Sequence, residues 1–392
     1  MVSLAAACQD KKDARTEDKV AGIERALVIG VVGPETGEEA GYGASVVAGV
    51  QAAARRFNAS GGVRGKEIKV LHYDDQSNIE QTIKIVQDLI GQNVVAILAA
   101  PTGSSTFAPI HLVNESRTIF FSVGSRRHLK ASGPYVFRNA LPDESAAEGL
   151  IGYAIGRLGY VNFALVTAAD NDFSLDLSSM FRRALDRHNG FVKVQADIYD
   201  TRTGGREIGK VVTAIRRAPD KLNAVIFTGG ANEAVQLARE LKKAGLKLPL
   251  IGSEDLFSED YLHAGDVVSD TLLYATFSSD DRSPGVEEFM KEYGAVKPDR
   301  FAALAYDTFT VIAEAIKAAD STDTSRIRQA IIGRRDFEGA TGKTNFSPDN
   351  TPIKRPLIYR IQKAASGEMA YVLQSGAAPG APPVTGRMSA AR

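Results

Sequence analysis

A surplus of charge of either sign is missing from this chain: 47 lysines and arginines stand against 47 aspartates and glutamates. That balance leaves no electrostatic footprint for nucleic acid or for an anionic membrane surface, so neither is expected as a partner. Long apolar runs are missing as well. Nowhere does the sequence reach the roughly 18 consecutive apolar residues that a bilayer-spanning helix requires, and the body of the protein is expected to be soluble. Cysteine occurs once, at Cys8, which excludes an internal disulfide and a cysteine-based metal cluster.

Catalytic signatures are equally sparse. His72, His111, His128, His188 and His263 are scattered, with no H-x-x-x-H pair to build a metal site, and no G-x-S-x-G elbow is present. Gly30, Gly33 and Gly37 follow a strand-like run, but their spacing is not that of a dinucleotide loop. Gly339-Ala-Thr-Gly342-Lys343-Thr344 ends like a phosphate loop, yet its first glycine is too close and no strand-to-helix context surrounds it. It reads as a turn. Neither an enzyme nor a cofactor or metal site is expected.

What is present is length and alternation. At 392 residues the chain can bury two cores. From Leu27 to Ser122 apolar strands at 27–32, 66–73, 94–99 and 119–122 alternate with helices at 43–57, 79–90 and 104–115. A second series follows, with helices at 145–158, 175–188, 207–217 and 233–244 between strands at 163–167, 192–198, 224–228 and 248–252. This is the pattern of parallel sheets covered on both faces, here two Rossmann-like lobes in an α/β fold. The remainder changes character: helices at 301–318 and 325–332, then a strand pair at 356–361 and 369–373.

Parallel sheets hold ligands in the loops after their strands. Four such loops are notably polar: Pro101–Thr106, Ser122–Ser125, Asp170–Ser174 and Gly252–Asp255. Their hydroxyls suit a carboxylate, although the same residue types serve as ordinary helix caps. Glu254 is the sharpest single candidate, because a carboxylate at a strand end can pair with a ligand ammonium; the alternative is a solvated loop acid.

The run Phe57-Asn-Ala-Ser-Gly61-Gly62-Val-Arg-Gly-Lys, leading through a strand read as buried into Tyr73-Asp74-Asp75, carries the most specific wording. It resembles the type I periplasmic binding proteins of the leucine/isoleucine/valine-binding family. The resemblance covers roughly Ala26 to Gln374. It implies two lobes joined by a three-segment hinge with the ligand cleft between them, the chain crossing near 138–140, 275–278 and 341–345. The divisions are then residues 25–139 with 278–341 for the amino-terminal lobe and 140–277 with 342–374 for the carboxyl-terminal lobe.

Residue by residue, the resemblance implies that Thr102, Gly103 and Ser104 hold a ligand carboxylate, and that Ser125 touches both ends of the ligand. The Val123 carbonyl, next to Gly124, would take the ammonium and Glu254 would neutralise it. Tyr42 and Phe173 stand where members place aromatics. Three departures stand out. Gly103 replaces a common ligand-binding serine, Ala231 replaces a frequent aromatic cap, and Ser77 and Thr102 occupy the expected positions of a disulfide seen in leucine binders. The second departure implies a roomier pocket.

The implied function is that of a substrate-binding protein of an ABC importer, which closes on an amino acid or similar small polar solute and delivers it to permease subunits. The alternative is a sensor or regulator of the same fold that signals to a protein partner.

At the amino end, small residues before Cys8 and a charged tether after it, spanning residues 1–24, resemble a bacterial lipoprotein cleavage site with Cys8 acylated. Leu4 lies one place too far upstream and no full apolar region precedes it, so an incidental cysteine stays open. The lipid reading implies a periplasmic or cell-surface location, with membrane contact only through the anchor. At the other end, residues 375–392 are rich in Gly, Pro and Ala and are expected to be a disordered tail.

Overall fold

The computed structural model describes residues 26–37, 39–125, 132–200, 205–218 and 220–375. Cys8, the expected tether over residues 1–24, His128 and residues 376–392 lie outside the described residues. The first series of elements is β1 (Leu27–Gly33), α1 (Ala40–Ala59), β2 (Ile68–Asp74), α2 (Ile79–Gly91), β3 (Ala96–Ala99), α3 (Ser104–Phe107), α4 (Ile110–Glu115), β4 (Ile119–Val123) and β5 (Val136–Asn139). The second is α5 (Asp143–Gly156), β6 (Asn162–Ala168), α6 (Asp172–Arg187), β7 (Phe191–Ile198), α7 (Gly205–Arg216), β8 (Ala224–Phe227), α8 (Ala231–Lys243) and β9 (Leu250–Gly252). It closes with a 3-10 turn (Glu254–Leu256), α9 (Glu259–Leu262) and β10 (Leu272–Ala275). Then come α10 (Pro284–Tyr293), α11 (Arg300–Ala319), α12 (Thr324–Gly333), β11 (Phe337–Gly339), β12 (Gly342–Phe346), β13 (Pro352–Ile353), β14 (Leu357–Lys363) and β15 (Met369–Ser375).

These elements fall into two units. One comprises the chain up to Ala140 together with Phe277–Ile353; the other comprises Leu141–Thr276 and the chain from Lys354 onward. The chain therefore passes between units at Ala140/Leu141, Thr276/Phe277 and Ile353/Lys354.

The first unit is built on a parallel five-stranded sheet in the order β2-β1-β3-β4-β5. Alternation along each strand sorts side chains to two cores. Leu27, Ile29 and Val31 of β1, with Phe121 and Val123 of β4, face the core built with α1 and α11; Val28, Val32, Ile97 and Phe120 face the core built with α2. Apolar on both faces, these strands have the continuous runs read from sequence.

The second unit holds a seven-stranded sheet ordered β15-β14-β10-β9-β8-β6-β7. Strands β6 to β10 are parallel, β14 adds antiparallel to β10, and β15 adds antiparallel to β14. Val225 and Phe227 of β8 enter one core, Ala224 and Ile226 the other.

Several expectations are corrected. Strand β2 is an edge strand with only Ile68 buried among its seven residues, not a buried strand. The helix expected over 104–115 is two helices, because Pro109 has no N–H to continue the ladder. Strands β5 and β10 and helix α10 were not anticipated. Ser375 is the last residue of β15, opposite Ile358, so the expected tail begins beyond it.

The third crossing lies later than 341/342. A cut there would separate β11 from β12, which pair antiparallel, and β12 in turn pairs with β13. Phe346 of β12 packs edge-on against Phe121 and Phe137, each at 5.8 Å, inside the first unit's core. Asn350 donates to the Pro134 and Val136 carbonyls at 2.9 and 3.0 Å. These contacts hold the segment to the first unit as far as Ile353.

Candidate functional site

Both sheets share one topological device. In the first, β1 lies between β2 and β3, so the order reads 2-1-3-4-5 from the unit's first strand; in the second, β6 lies between β7 and β8 and repeats that order through β10. Where a doubly wound sheet reverses direction, adjacent loops diverge and leave a crevice at the strands' carboxyl ends. The expected residues fall at those ends. Tyr42 follows β1, Thr102 to Ser104 follow β3, and Val123 to Ser125 end β4; Phe173 follows β6, Ala231 follows β8 and Glu254 follows β9.

In the first unit, the loop after β1 is organised by Asp74 at the end of β2. Its carboxylate accepts the Glu35 N–H at 2.8 Å, the Thr36 hydroxyl at 2.7 Å and the Gln76 N–H at 2.8 Å. Burial pushes this carboxyl up, but those donors outweigh it and hold Asp74 below its usual value of 3.8. Asp75 accepts the Ser77 N–H and the Thr82 hydroxyl, and there burial prevails and raises the pKa. The acidic strand end thus shapes loops.

Tyr42, exposed in the first turn of α1, meets Phe301 edge-on with centroids 4.9 Å apart. Phe301 also carries the Arg300 guanidinium 4.8 Å above its ring. Gly124 completes this corner: at φ +82° a Cβ would lie 2.7 Å from Phe301 Cδ1, so only glycine fits both the backbone and the ring. Val123 is fully buried, which leaves its main chain as the part to offer; Ser125 is mostly buried.

The loop after β3 explains the missing serine. Gly103 has φ +66° and ψ −120°, a conformation that costs a serine steric strain. The neighbouring Thr102 N–H already donates to the Ala100 carbonyl and the Thr106 hydroxyl, both at 2.9 Å. Ser104 is exposed. Where a disulfide was expected in relatives, the Ser105 hydroxyl donates to the Ser77 carbonyl at 3.2 Å and ties the same two loops together.

In the second unit, the Ser174 hydroxyl lies 3.0 Å from the Ala168 N–H and 2.6 Å from Thr228 Oγ1, joining the ends of β6 and β8. Asn171 caps α6 by accepting the Phe173 and Ser174 N–H groups, and Phe173 is half-buried above the core. Ala231 opens α8 and is half-buried.

Glu254 is not a solvated acid. It is 4% exposed, with one oxygen accepting the Thr276 N–H at 2.5 Å and the other the Thr276 hydroxyl at 3.1 Å. A carboxylate buried without such donors would be costly. Its turn is pinned from the far end of the sheet: the Tyr371 hydroxyl donates toward the Leu256 and Ser258 carbonyls and accepts the Ser258 N–H at 2.9 Å. Burial raises the Tyr371 pKa far above the ordinary tyrosine range.

Phe301, Thr276 and Tyr371 were missed by sequence reasoning. Nothing in local spacing marks them, since each meets its partner across more than 20 residues. The phosphate-loop-like run is a hairpin turn between β11 and β12, and its Ala340 and Thr341 N–H groups donate to Asp307 at 2.7 and 2.8 Å. Amides committed to a carboxylate do not cradle a phosphate. A surface groove of about 310 Å³ lined by Tyr73, Ile85, Asp88 and Gln92 contains none of the expected residues. Among the described residues no group of three or more His, Cys, Asp or Glu is placed to hold a metal ion, and no helix is long and apolar enough to cross a membrane.

Comparison with known proteins agrees with the fold. The family model described as periplasmic binding protein matches residues 26–367. A Leu/Ile/Val-binding protein homolog of Brucella melitensis biotype 1 is 24% identical over 327 residues, 82% of this chain and 87% of that protein. A substrate-binding protein of a branched-chain amino acid transporter from Streptococcus pneumoniae, solved with isoleucine, superposes with a TM-score of 0.66 at 23% identity, covering 89% of this chain and 99% of that one. A solute-binding protein of an ABC transporter from Rhodopseudomonas palustris, solved with 3,4-dihydroxybenzoic acid, gives 0.70 at 18% identity, with 90% and 97% covered. At these identities the solved structures share the fold.

Proposed function

Because the chain belongs to the periplasmic binding protein family, we propose that it is the substrate-binding protein of an ABC importer and captures an amino acid or similar small polar solute. The observation that carries the reading is Glu254, a carboxylate buried at the carboxyl end of β9 in a unit whose other candidates lie at the same sheet end. Burial in low dielectric strengthens its attraction for a ligand ammonium. The first unit by itself offers the exposed Ser104 hydroxyl beside Gly103 for a ligand carboxylate, and Tyr42 and Phe301 as an aromatic pair. The three chain crossings serve as the hinge of capture. Permease subunits then receive the solute, and no catalysis is involved. Lipid attachment at Cys8 would hold the protein on the outer side of a membrane, and radiolabelled palmitate incorporation that is lost in Cys8→Ser tests that part.

The ligand is tested by a thermal-shift screen against amino acids, short amides, aromatic acids and polyols, since a ligand that binds the folded state alone raises the midpoint by mass action. A shift with branched or aromatic amino acids, followed by calorimetry showing roughly 30-fold or greater weakening in Glu254→Ala, is the expected result. Ala231, small and half-buried, leaves room for a bulkier solute. Shifts confined to aromatic acids such as 3,4-dihydroxybenzoate therefore replace the amino-acid reading with an aromatic-acid one.

A further inference from the structure

Glu254 meets Thr276 through both of its oxygens, and Thr276 is the last residue of the second unit before the chain crosses to Phe277. Two donors from one residue, a main-chain N–H and a side-chain hydroxyl, fix the carboxylate in position and in the plane of its oxygens. Thr276 is itself 7% exposed, so water does not substitute readily for its hydroxyl. The turn bearing Glu254 is held independently, by the Tyr371 hydroxyl and by Ser253, whose hydroxyl accepts the Asp255 N–H at 3.2 Å. The backbone beneath the acid is thus anchored by β15, and its charged end is anchored by Thr276.

We propose that Thr276 is a positioning residue for ligand recognition: its hydroxyl aims the Glu254 carboxylate at the ligand ammonium and ties that carboxylate to the second chain crossing. The proposal rests on the reading of Glu254 as the ammonium acceptor. Thr276 touches no ligand in this scheme. Its removal therefore weakens ligands that carry an ammonium and spares those that lack one.

The test is calorimetry with L-leucine and with 4-methylpentanoate, the same molecule without its amino group, the latter measured by competition. Thr276→Val keeps the N–H bond and loses the hydroxyl; it is expected to weaken leucine about tenfold, the scale of one hydrogen bond to a charged group, and to leave 4-methylpentanoate within twofold. Thr276→Ser restores leucine binding, and in a Glu254→Gln background Thr276→Val adds nothing further. Equal weakening of both compounds, or of neither, overturns the positioning role while leaving Glu254 as the ammonium acceptor. If the unsubstituted protein binds 4-methylpentanoate as tightly as leucine, or binds neither, the reading of Glu254 fails and the role of Thr276 falls with it.

Discussion

Asp307 and Thr341 are joined twice: the fully buried Asp307 carboxylate accepts both the Thr341 N–H, at 2.8 Å, and the Thr341 hydroxyl. A further bond comes from the Ala340 N–H at 2.7 Å, so one acid in α11 holds the β11–β12 turn. Asp307→Ala leaves two buried amides without this acceptor and is expected to cost on the order of 3–5 kcal/mol. Asp307→Asn, which keeps a carbonyl oxygen, costs less. Urea denaturation followed by circular dichroism measures both, and a loss below 1 kcal/mol in the alanine variant would show that water replaces the carboxylate.

Tyr371→Phe keeps the ring that packs 4.4 Å from Phe257 and removes the hydroxyl that binds the Leu256 and Ser258 main chain. A destabilisation of about 1–3 kcal/mol follows from losing the hydroxyl's hydrogen bonds to these part-buried main-chain groups. Amide exchange at Ser258 is expected to speed up in the folded protein, because its N–H is the donor to Tyr371. Unchanged exchange there contradicts the anchoring role.

Gly124→Ala meets two obstacles, a positive φ and a Cβ 2.7 Å from the Phe301 ring. Thermal denaturation is expected to show a loss of roughly 1–3 kcal/mol. Phe301→Leu in the same chain relieves the collision but not the backbone strain, so the double variant recovers part of the loss. Full recovery would assign the whole effect to the ring.

Asp74 predicts a pH dependence with a defined sign. Its folded pKa lies below 3.8, so its contribution to stability is complete above the unfolded value and is lost as pH falls through the folded one. Asp74→Asn is therefore expected to lower the urea midpoint at neutral pH, with the gap to the unsubstituted protein closing below about pH 3.8. A gap that widens on acidification reverses the assignment.

The alternation of strands and helices was legible because strands such as β1, β3 and β8 are apolar on both faces and their connecting helices are long enough to show a period. Strand β5 escaped because Arg138 and Asn139 occupy half of its four residues, and both are buried by tertiary contacts. Asn139 donates to the Leu304 carbonyl and to Thr308, a partnership 165 and 169 residues distant. Strand β10 is too short to show periodicity. The third crossing was misplaced because Phe346 and Asn350 decide it, and their partners lie more than 200 residues earlier.

The sequence by itself determined the α/β class, the two large sheets and the strand ends at which Tyr42, Thr102, Ser125, Phe173, Ala231 and Glu254 lie. Those follow from local periodicity, turn residues and the order of elements along the chain. Only the tertiary structure decided what each group does there. Gly103 is required by its backbone conformation, Asp74 and Asp75 shape loops, and Glu254 is a buried acid held by Thr276. The reason is physical: periodicity reports which face a side chain takes, whereas a buried carboxylate's state depends on donors that folding brings from elsewhere in the chain.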